Sequence, residues 1–368
     1  MKIIIFILFF ILNAYEICKN NFFNFIFEIN NKEILIIEKL NYHGECLPGF
    51  IKYFLDLGYK NIDILMNIEL YKLRPLNISF FENKINILPF PPKIIENFII
   101  LGICNFYKIC FFNTMNFGMK NKIKKYLYKN QNFKKLIVFH DLNYIEKKDF
   151  YKFKIIVLKK FQNITSIFEV NPHFFGELKF HNKSKITNFI IVGNVQSNRK
   201  NFLILFESIE QLIKNKINNF NVTIIGYSMD INFKEFFNKK HLSKYIKFIE
   251  KIPYDIMFEY ISKADFFLPL LDSKIHTNYL KVKTSGSFQL VYGFNIPIII
   301  EKIFAEKYGF NNSNSIIYNN SMQDFFNKLN YSIYMKNDEY LKLKYNLKLK
   351  TKEIEKNSID NLKLILNC

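Results

Sequence analysis

The sequence predicts an α/β protein of two halves, each a parallel sheet with helices on both faces. Short apolar runs of buried-strand type alternate with helix-spaced stretches along most of the chain. A proline–glycine break, Asn171-Pro172-His173-Phe174-Phe175-Gly176, interrupts that alternation near the middle. Polar residues gather just beyond several of the apolar runs, at the sheet edge where open α/β sheets bind ligands.

In chain order, residues 1–32 are an apolar segment and lead-in. Ile3 to Leu12 is unbroken apolar sequence, too short to span a bilayer, which takes ~20 helical residues. Signal, anchor and folded strand all stay open for it. The first half, 33–180, starts with a strand over Ile34–Ile37. A helix from about Phe50 to Leu57 stops at Gly58, and a strand over Ile62–Leu65 completes a βαβ unit. Strands are expected at Phe98–Leu101, Ile109–Phe112, Leu136–Phe139 and Thr165–Val170, with a helical or mixed stretch over Asp149–Lys160. The second half, 181–334, alternates more cleanly. Its strands are Asn188–Val192, Val222–Ile225, Ile246–Ile249, Asp265–Leu268 and Ile296–Ile300. Its helices are Phe202–Asn215, Phe233–Lys240, Tyr254–Lys263, Ser285–Gly293 and residues 320–333. A Lys- and Leu-rich helical segment fills 335–368.

Composition bounds the function. A chain of 368 residues suits about two domains. With 49% hydrophobic residues, 43 Phe and 22 Tyr it can build large cores, which excludes a disordered protein. The net charge of +20 favours anionic partners. Zinc-finger spacing and compact basic–aromatic motifs are absent, so nucleic acid is not an expected partner, whereas an anionic membrane surface is. The five cysteines form no CxxC pair, as suits a reducing compartment, and the six histidines show no metal-ligand spacing, so no metal is expected.

The stretch with most chemistry is Tyr279-Leu280-Lys281-Val282-Lys283-Thr284-Ser285-Gly286-Ser287. Ser and Thr cap helices, Gly admits close approach of a ligand, and a helix N-terminus favours an anion. With Lys281 and Lys283 beside it, the stretch reads as a phosphate cradle, or as a capped helix behind solvated lysines. Upstream, Gly193 opens a loop that carries Arg199 and Lys200, and Gly226 ends the following strand. Two cations at a helix start oppose its dipole, which an anion between them would reverse. In the first half, His43 and Glu45 follow the first strand and His140 follows another; either histidine, or Glu45, could serve as a general base or hydrogen-bond a ligand.

The ordered run Ile191-Val192-Gly193-Asn194, Arg199-Lys200-Asn201, Val222 to Gly226, Ala264 to Leu270, Lys283-Thr284-Ser285-Gly286-Ser287 and Asn295 to Ile299 resembles nucleotide-sugar glycosyltransferases of the GT-B fold, group-1 (retaining) type. The resemblance covers about residues 186–330. It implies two Rossmann-like domains facing a central cleft, an acceptor side at 33–180 and a donor side at 181–334. It implies a sugar moved from a nucleoside diphosphate sugar to a hydroxyl of a glycan or lipid-linked glycan. Arg199 and Lys200 match the family's diphosphate-neutralising cations, and Thr284 to Ser287 its phosphate-side loop. No cofactor or metal is implied, and the expected location is cytoplasmic, at the inner face of the membrane. The sequence departs from the family at one point. Of two glutamates eight positions apart, the second grips the donor ribose; here Leu290 stands in its place, with Gln289 beside it. The alternative reading is a catalytically inactive relative that binds glycan or nucleotide.

Overall fold

The computed structural model describes residues 32–81, 84–114, 121–176, 180–227 and 242–367. Residues 1–31 and the expected helix Phe233–Lys240 lie outside them. The chain divides into two compact units. One runs up to Pro172 and includes the chain again from Ile359; the other is His173–Ser358.

The first unit holds seven strands: β1 (Lys32–Glu38), β2 (Ile62–Asn67), β3 (Ile85–Phe90), β4 (Tyr107–Phe112), β5 (Lys134–Phe139), β6 (Lys154–Val157) and β7 (Ile167–Glu169). They lie in the order β3-β2-β1-β4-β5-β6-β7, every pair parallel. Its helices are α1 (Leu47–Asp56), α2 (Ile68–Lys72), α3 (Pro92–Ile100), α4 (Asn121–Lys129) and α5 (Asp149–Lys152). Ile34 to Ile37 are buried in succession, as befits a central strand covered on both faces. Phe50 and Phe54 of α1 pack their rings on Phe111 of β4.

One expectation needs correction here. Phe98–Leu101 is not a strand: Phe98 and Ile99 lie in α3, where they and Ile95 form the buried face of a helix that opens with a proline. The stretch Asp149–Lys160, expected to be helical or mixed, is mixed: α5 is followed by β6, whose β-branched run pairs with β5. The strand β3 escaped notice because it contains Pro89, tolerated at the sheet edge that β3 forms.

The second unit has strands β8 (Thr187–Val192), β9 (Phe220–Gly226), β10 (Ile246–Glu250), β11 (Phe266–Phe267), β12 (Ile298–Glu301) and β13 (Ser315–Tyr318). Their order is β10-β9-β8-β11-β12-β13, again parallel throughout. Its helices are α6 (Phe202–Lys214), α7 (Tyr254–Ser262), α8 (Asn278–Lys281), α9 (Ser287–Phe294), α10 (Lys302–Tyr308), α11 (Met322–Tyr334) and α12 (Asn337–Leu366), the last continuing into the first unit. β13, α8 and α10 were not foreseen, and α9 starts two residues later than expected.

Each sheet reverses direction once. The chain steps outward from β1 to β2 and β3, then resumes on the other side of β1 with β4. The second unit does the same between β8 and β11. Such switch points leave a crevice at the carboxyl ends of the two diverging strands, and doubly wound sheets bind ligands there. Among the described residues no helix is long and apolar enough to cross a membrane.

Candidate functional site

In the first unit the switch point is lined by the ends of β1, β4 and β5. Glu38 closes β1 and is fully buried. Its Oε1 accepts the Leu40 N–H at 2.8 Å; its Oε2 accepts from Asn113 Nδ2 at 2.7 Å and Thr114 Oγ1 at 2.6 Å. Burial disfavours the charge more than these donors favour it, and the pKa is pushed up to about 7. Asn113 continues the network. Its N–H donates to Ile37 O at 3.1 Å, and Nδ2 donates also to His43 O at 3.2 Å. Its carbonyl accepts from His140 Nε2 at 3.0 Å.

These bonds bring two of the sequence candidates together. The rings of His43 and His140 stack with centroids 3.8 Å apart, 7° from parallel. Because a carbonyl can only accept, the Asn113 oxygen fixes the proton of His140 on Nε2. His43 Nδ1 lies 3.4 Å from Glu45 Oε1, which places its proton on Nδ1 and leaves Nε2 as an acceptor. His43 takes a left-handed backbone, φ 64°, and keeps 28% of its side chain exposed. His140 is buried. The Asn113 Oδ1 is buried beside them without a hydrogen-bond partner.

In the second unit the loop after β8 carries the cations. Gly193 (φ 114°) ends the strand, and Gly226 at the end of β9 lies against it: a Cβ on Gly226 would stand 1.9 Å from Gly193 O. Lys200 is not the solvated residue its place before a helix suggests. It is buried, and its Nζ donates to Pro269 O at 3.1 Å, beyond β11. Burial, with the Arg199 charge nearby, pulls its pKa down to about 8. Arg199 is half-buried. Asn201 caps α6 by accepting the Ile204 N–H, and its Nδ2 donates to Asp272 Oδ2 at 2.8 Å.

A second bond between the same loops comes from His276. Its Nδ1 accepts the Asp272 N–H at 2.9 Å and its Nε2–H donates to Ser197 O at 3.3 Å. Burial holds its pKa below the usual imidazole value, so the ring is neutral and its tautomer fixed. Glu301, closing β12, accepts from Ser273 N at 2.8 Å and from its hydroxyl.

The stretch from Tyr279 to Ser287 follows. Tyr279 is buried and its carbonyl accepts from Tyr308 Oη at 2.8 Å, which anchors the loop. Lys281 is exposed, Lys283 to Gly286 are half-buried and Ser287 is buried. Gly286 is the capping residue of α9, and Ser285 Oγ accepts the Ser287 N–H at 3.4 Å. Leu290 is buried. Gln289 beside it is fully buried with neither amide atom partnered.

Sequence reasoning missed Glu38, Asp272, His276 and Glu301. The available signal was one of position: each except His276 ends or closely follows a strand that borders a switch point or its neighbour. Among the described residues no group of His, Cys, Asp and Glu is placed to hold a metal ion.

No protein-family model matches this sequence, and no curated protein sequence does. Solved structures do. A glycosyltransferase from Rickettsia africae ESF-5 superposes with TM-score 0.59 at 14% identity, over 91% of this chain and 99% of that one. Sucrose-phosphate synthase from Thermosynechococcus elongatus gives 0.56 at 10% identity, over 92% and 99%. The UDP complex of MnaA from S. aureus gives 0.54 at 13% identity, over 92% and 97%. At these identities the likeness establishes the fold, which is GT-B: two Rossmann-like domains, here of seven and six parallel strands.

Proposed function

We propose that the chain is a glycosyltransferase that moves a sugar from a nucleoside diphosphate sugar to a hydroxyl of a glycan or lipid-linked glycan. The observation that carries this is the buried Lys200 beside Arg199 on the switch-point loop of the second unit. Burying an ammonium against a single backbone carbonyl is costly, and an anionic ligand at the same place offsets that cost. A structural neighbour solved with UDP is consistent with such a ligand, and the pneumococcal O-GlcNAc transferase GtfA, TM-score 0.54 at 13% identity over 74% of this chain and 60% of that one, was solved with UDP and GlcNAc.

In this reading the bond from the anomeric carbon to the diphosphate oxygen breaks, and its electron pair leaves with the diphosphate. Arg199, Lys200 and the N–H groups at the start of α9 meet the growing negative charge. Gly193, Gly226 and the loop from Tyr279 to Ser287 shape the space around the donor, and Lys281 and Lys283 add charge at its rim. The acceptor hydroxyl gives its proton to His43 Nε2, which Glu45 orients; His140 hydrogen-bonds a sugar hydroxyl. The cations do the work a metal does in other transferases, so none is needed. The basic surface suits an acceptor displayed at the cytoplasmic face of an anionic membrane.

The test is release of nucleotide from a panel of UDP-, GDP- and dTDP-sugars, with UDP binding measured by calorimetry. Release of nucleotide from one donor is expected. Arg199→Ala should weaken nucleoside diphosphate binding about 30-fold, the worth of a charge-assisted contact of about 2 kcal/mol, with no loss of fold. Unaltered affinity in that variant places the donor elsewhere. Tight binding without turnover of any donor or acceptor identifies the inactive binding protein instead.

A further inference from the structure

We infer that Glu38 is a positioning residue: as the carboxylate, acting through Asn113, it holds the His43–His140 pair in place. The role given to that pair rests on the proposed function; the relay itself rests on geometry.

Every bond around Glu38 suits the ionised form. Three donors, the Leu40 N–H, Asn113 Nδ2 and Thr114 Oγ1, converge on its two oxygens. The two hydrogens of Asn113 Nδ2 are shared between Glu38 Oε2 and His43 O. The same residue's carbonyl takes the His140 Nε2 proton. Asn113 thus touches the acid and both histidines, and the acid sets which way its amide faces. A proton on Oε2 removes the acceptor that Asn113 Nδ2 needs. Turning the amide does not help, since that sets Oδ1 against His43 O, acceptor to acceptor. The Thr114 hydroxyl can rotate to accept instead, so Asn113 is where protonation acts. Loss of that bond loosens Asn113, and with it the backbone carbonyl that holds the His140 ring. It also loosens one of the two bonds on the His43 carbonyl, the other coming from the Cys46 N–H at 3.2 Å.

The titratable groups near the acid do not compete for this role. His43 and Glu45 lie on the loop beyond β1 and pair with each other. Lys39 pairs with Glu96 at 2.8 Å. Cys46 is a buried thiol, and burial with two carboxylates nearby keeps it protonated. His140 carries its Nε2 proton toward Asn113, away from the acid. Glu38 is therefore the group in this cluster whose change of charge reaches both rings, and its pKa of about 7 makes that change occur near neutrality.

The test is nuclear magnetic resonance on the whole chain labelled with 13C-glutamate and 15N-asparagine. The Glu38 13Cδ signal, assigned by its loss in Glu38→Gln, should move with a midpoint near pH 7, and the Asn113 side-chain amide should move with it. Thr114→Val, which removes one donor, should raise that midpoint. A Glu38 midpoint near 4.5, or an Asn113 amide indifferent to the titration, overturns the relay. Donor hydrolysis gives the second reading. The wild-type rate should rise with pH through about 7; Glu38→Gln should lose that limb and about tenfold in kcat at pH 8, with donor KM unchanged. Wild-type kcat and pH limb in a folded Glu38→Gln protein overturn the relay alone. An intact resonance signature with no donor turned over by the wild type fails the functional reading and leaves the relay standing.

Discussion

Glu38 and Lys200 hold matching places in the two units and carry opposite charges. Glu38 closes its sheet's first strand and Lys200 lies on the loop that follows its sheet's first strand, each beside the point where the strand order reverses. Burial acts on both in the same sense, against the charged form. It lifts the acid to about 7 and lowers the amine to about 8, so two groups with very different ordinary values come to titrate close together. Their partners differ. Glu38 meets three protein donors, one of which, Asn113, goes on to brace both histidines. Lys200 meets one backbone carbonyl. The fold supplies equivalent crevices; in the first the acid is met by three donors, and in the second the proposed function gives the cation's remaining donors to a ligand.

The sharpest way to break that comparison is through backbone. In the second unit the crevice depends on two strand ends touching, Gly193 O against Gly226. Gly226→Ala puts a methyl group 1.9 Å from an oxygen that cannot move without its strand, and should cost about 4 kcal/mol by chemical denaturation. In the first unit Gly58 has φ 90° but nothing within 4 Å of a Cβ, so Gly58→Ala should cost only about 1 kcal/mol of backbone strain. Equal losses in the two variants mean that the close approach of β8 and β9 does not shape the site.

The next test separates the charges by pH. Glu38 has a folded pKa above its unfolded value. Its stabilisation is complete below pH 4.5 and is lost as pH rises through about 7, a change of about 3 kcal/mol. Lys200 has a folded pKa below its unfolded value. Its stabilisation is complete above pH 10.5 and is lost as pH falls through about 8, again about 3 kcal/mol. Against Glu38→Gln, the wild type should therefore lose stability between pH 4.5 and 7. Against Lys200→Met, it should gain between pH 8 and 10.5. Urea midpoints across both windows decide it; a flat difference in either window removes that residue's buried charge from the account.

The same contrast explains what the sequence disclosed. The candidates of the second unit stood out because they are strung along loops in a familiar order: Gly193, Arg199-Lys200, Gly226, then Lys283 to Ser287. Most of the fold was legible too, because parallel strands buried on both faces read as unbroken apolar runs. The failures have physical causes. Phe98 to Leu101 is as apolar as a strand but belongs to a helix, and short runs carry no period that separates the two. Glu38 read as a polar flank of the first strand, since nothing local tells a solvated glutamate from one met by Asn113, 75 residues away. His276 was passed over because its partners, Ser197 and Asp272, only converge when the sheet is formed.

The smallest expected effect contrasts two histidines. His276 is a buried, neutral strut with a bond at each ring nitrogen, tying the cation loop to the loop after β11. Removing it breaks the bonds to the Asp272 N–H and the Ser197 carbonyl. His276→Ala should therefore cost about 1.5 kcal/mol of stability and, by loosening the Lys200 loop, weaken UDP binding about fivefold. His43 is part-exposed, and its ring bond to Glu45 is long, at 3.4 Å. His43→Ala should change stability by less than about 0.5 kcal/mol and leave UDP affinity unchanged, while slowing transfer to the acceptor. Denaturation midpoints and UDP titrations on the two variants read both quantities. If His43→Ala were the one to lose UDP, the nucleotide would belong to the first unit, and the division of labour between acid and amine would have to be reversed.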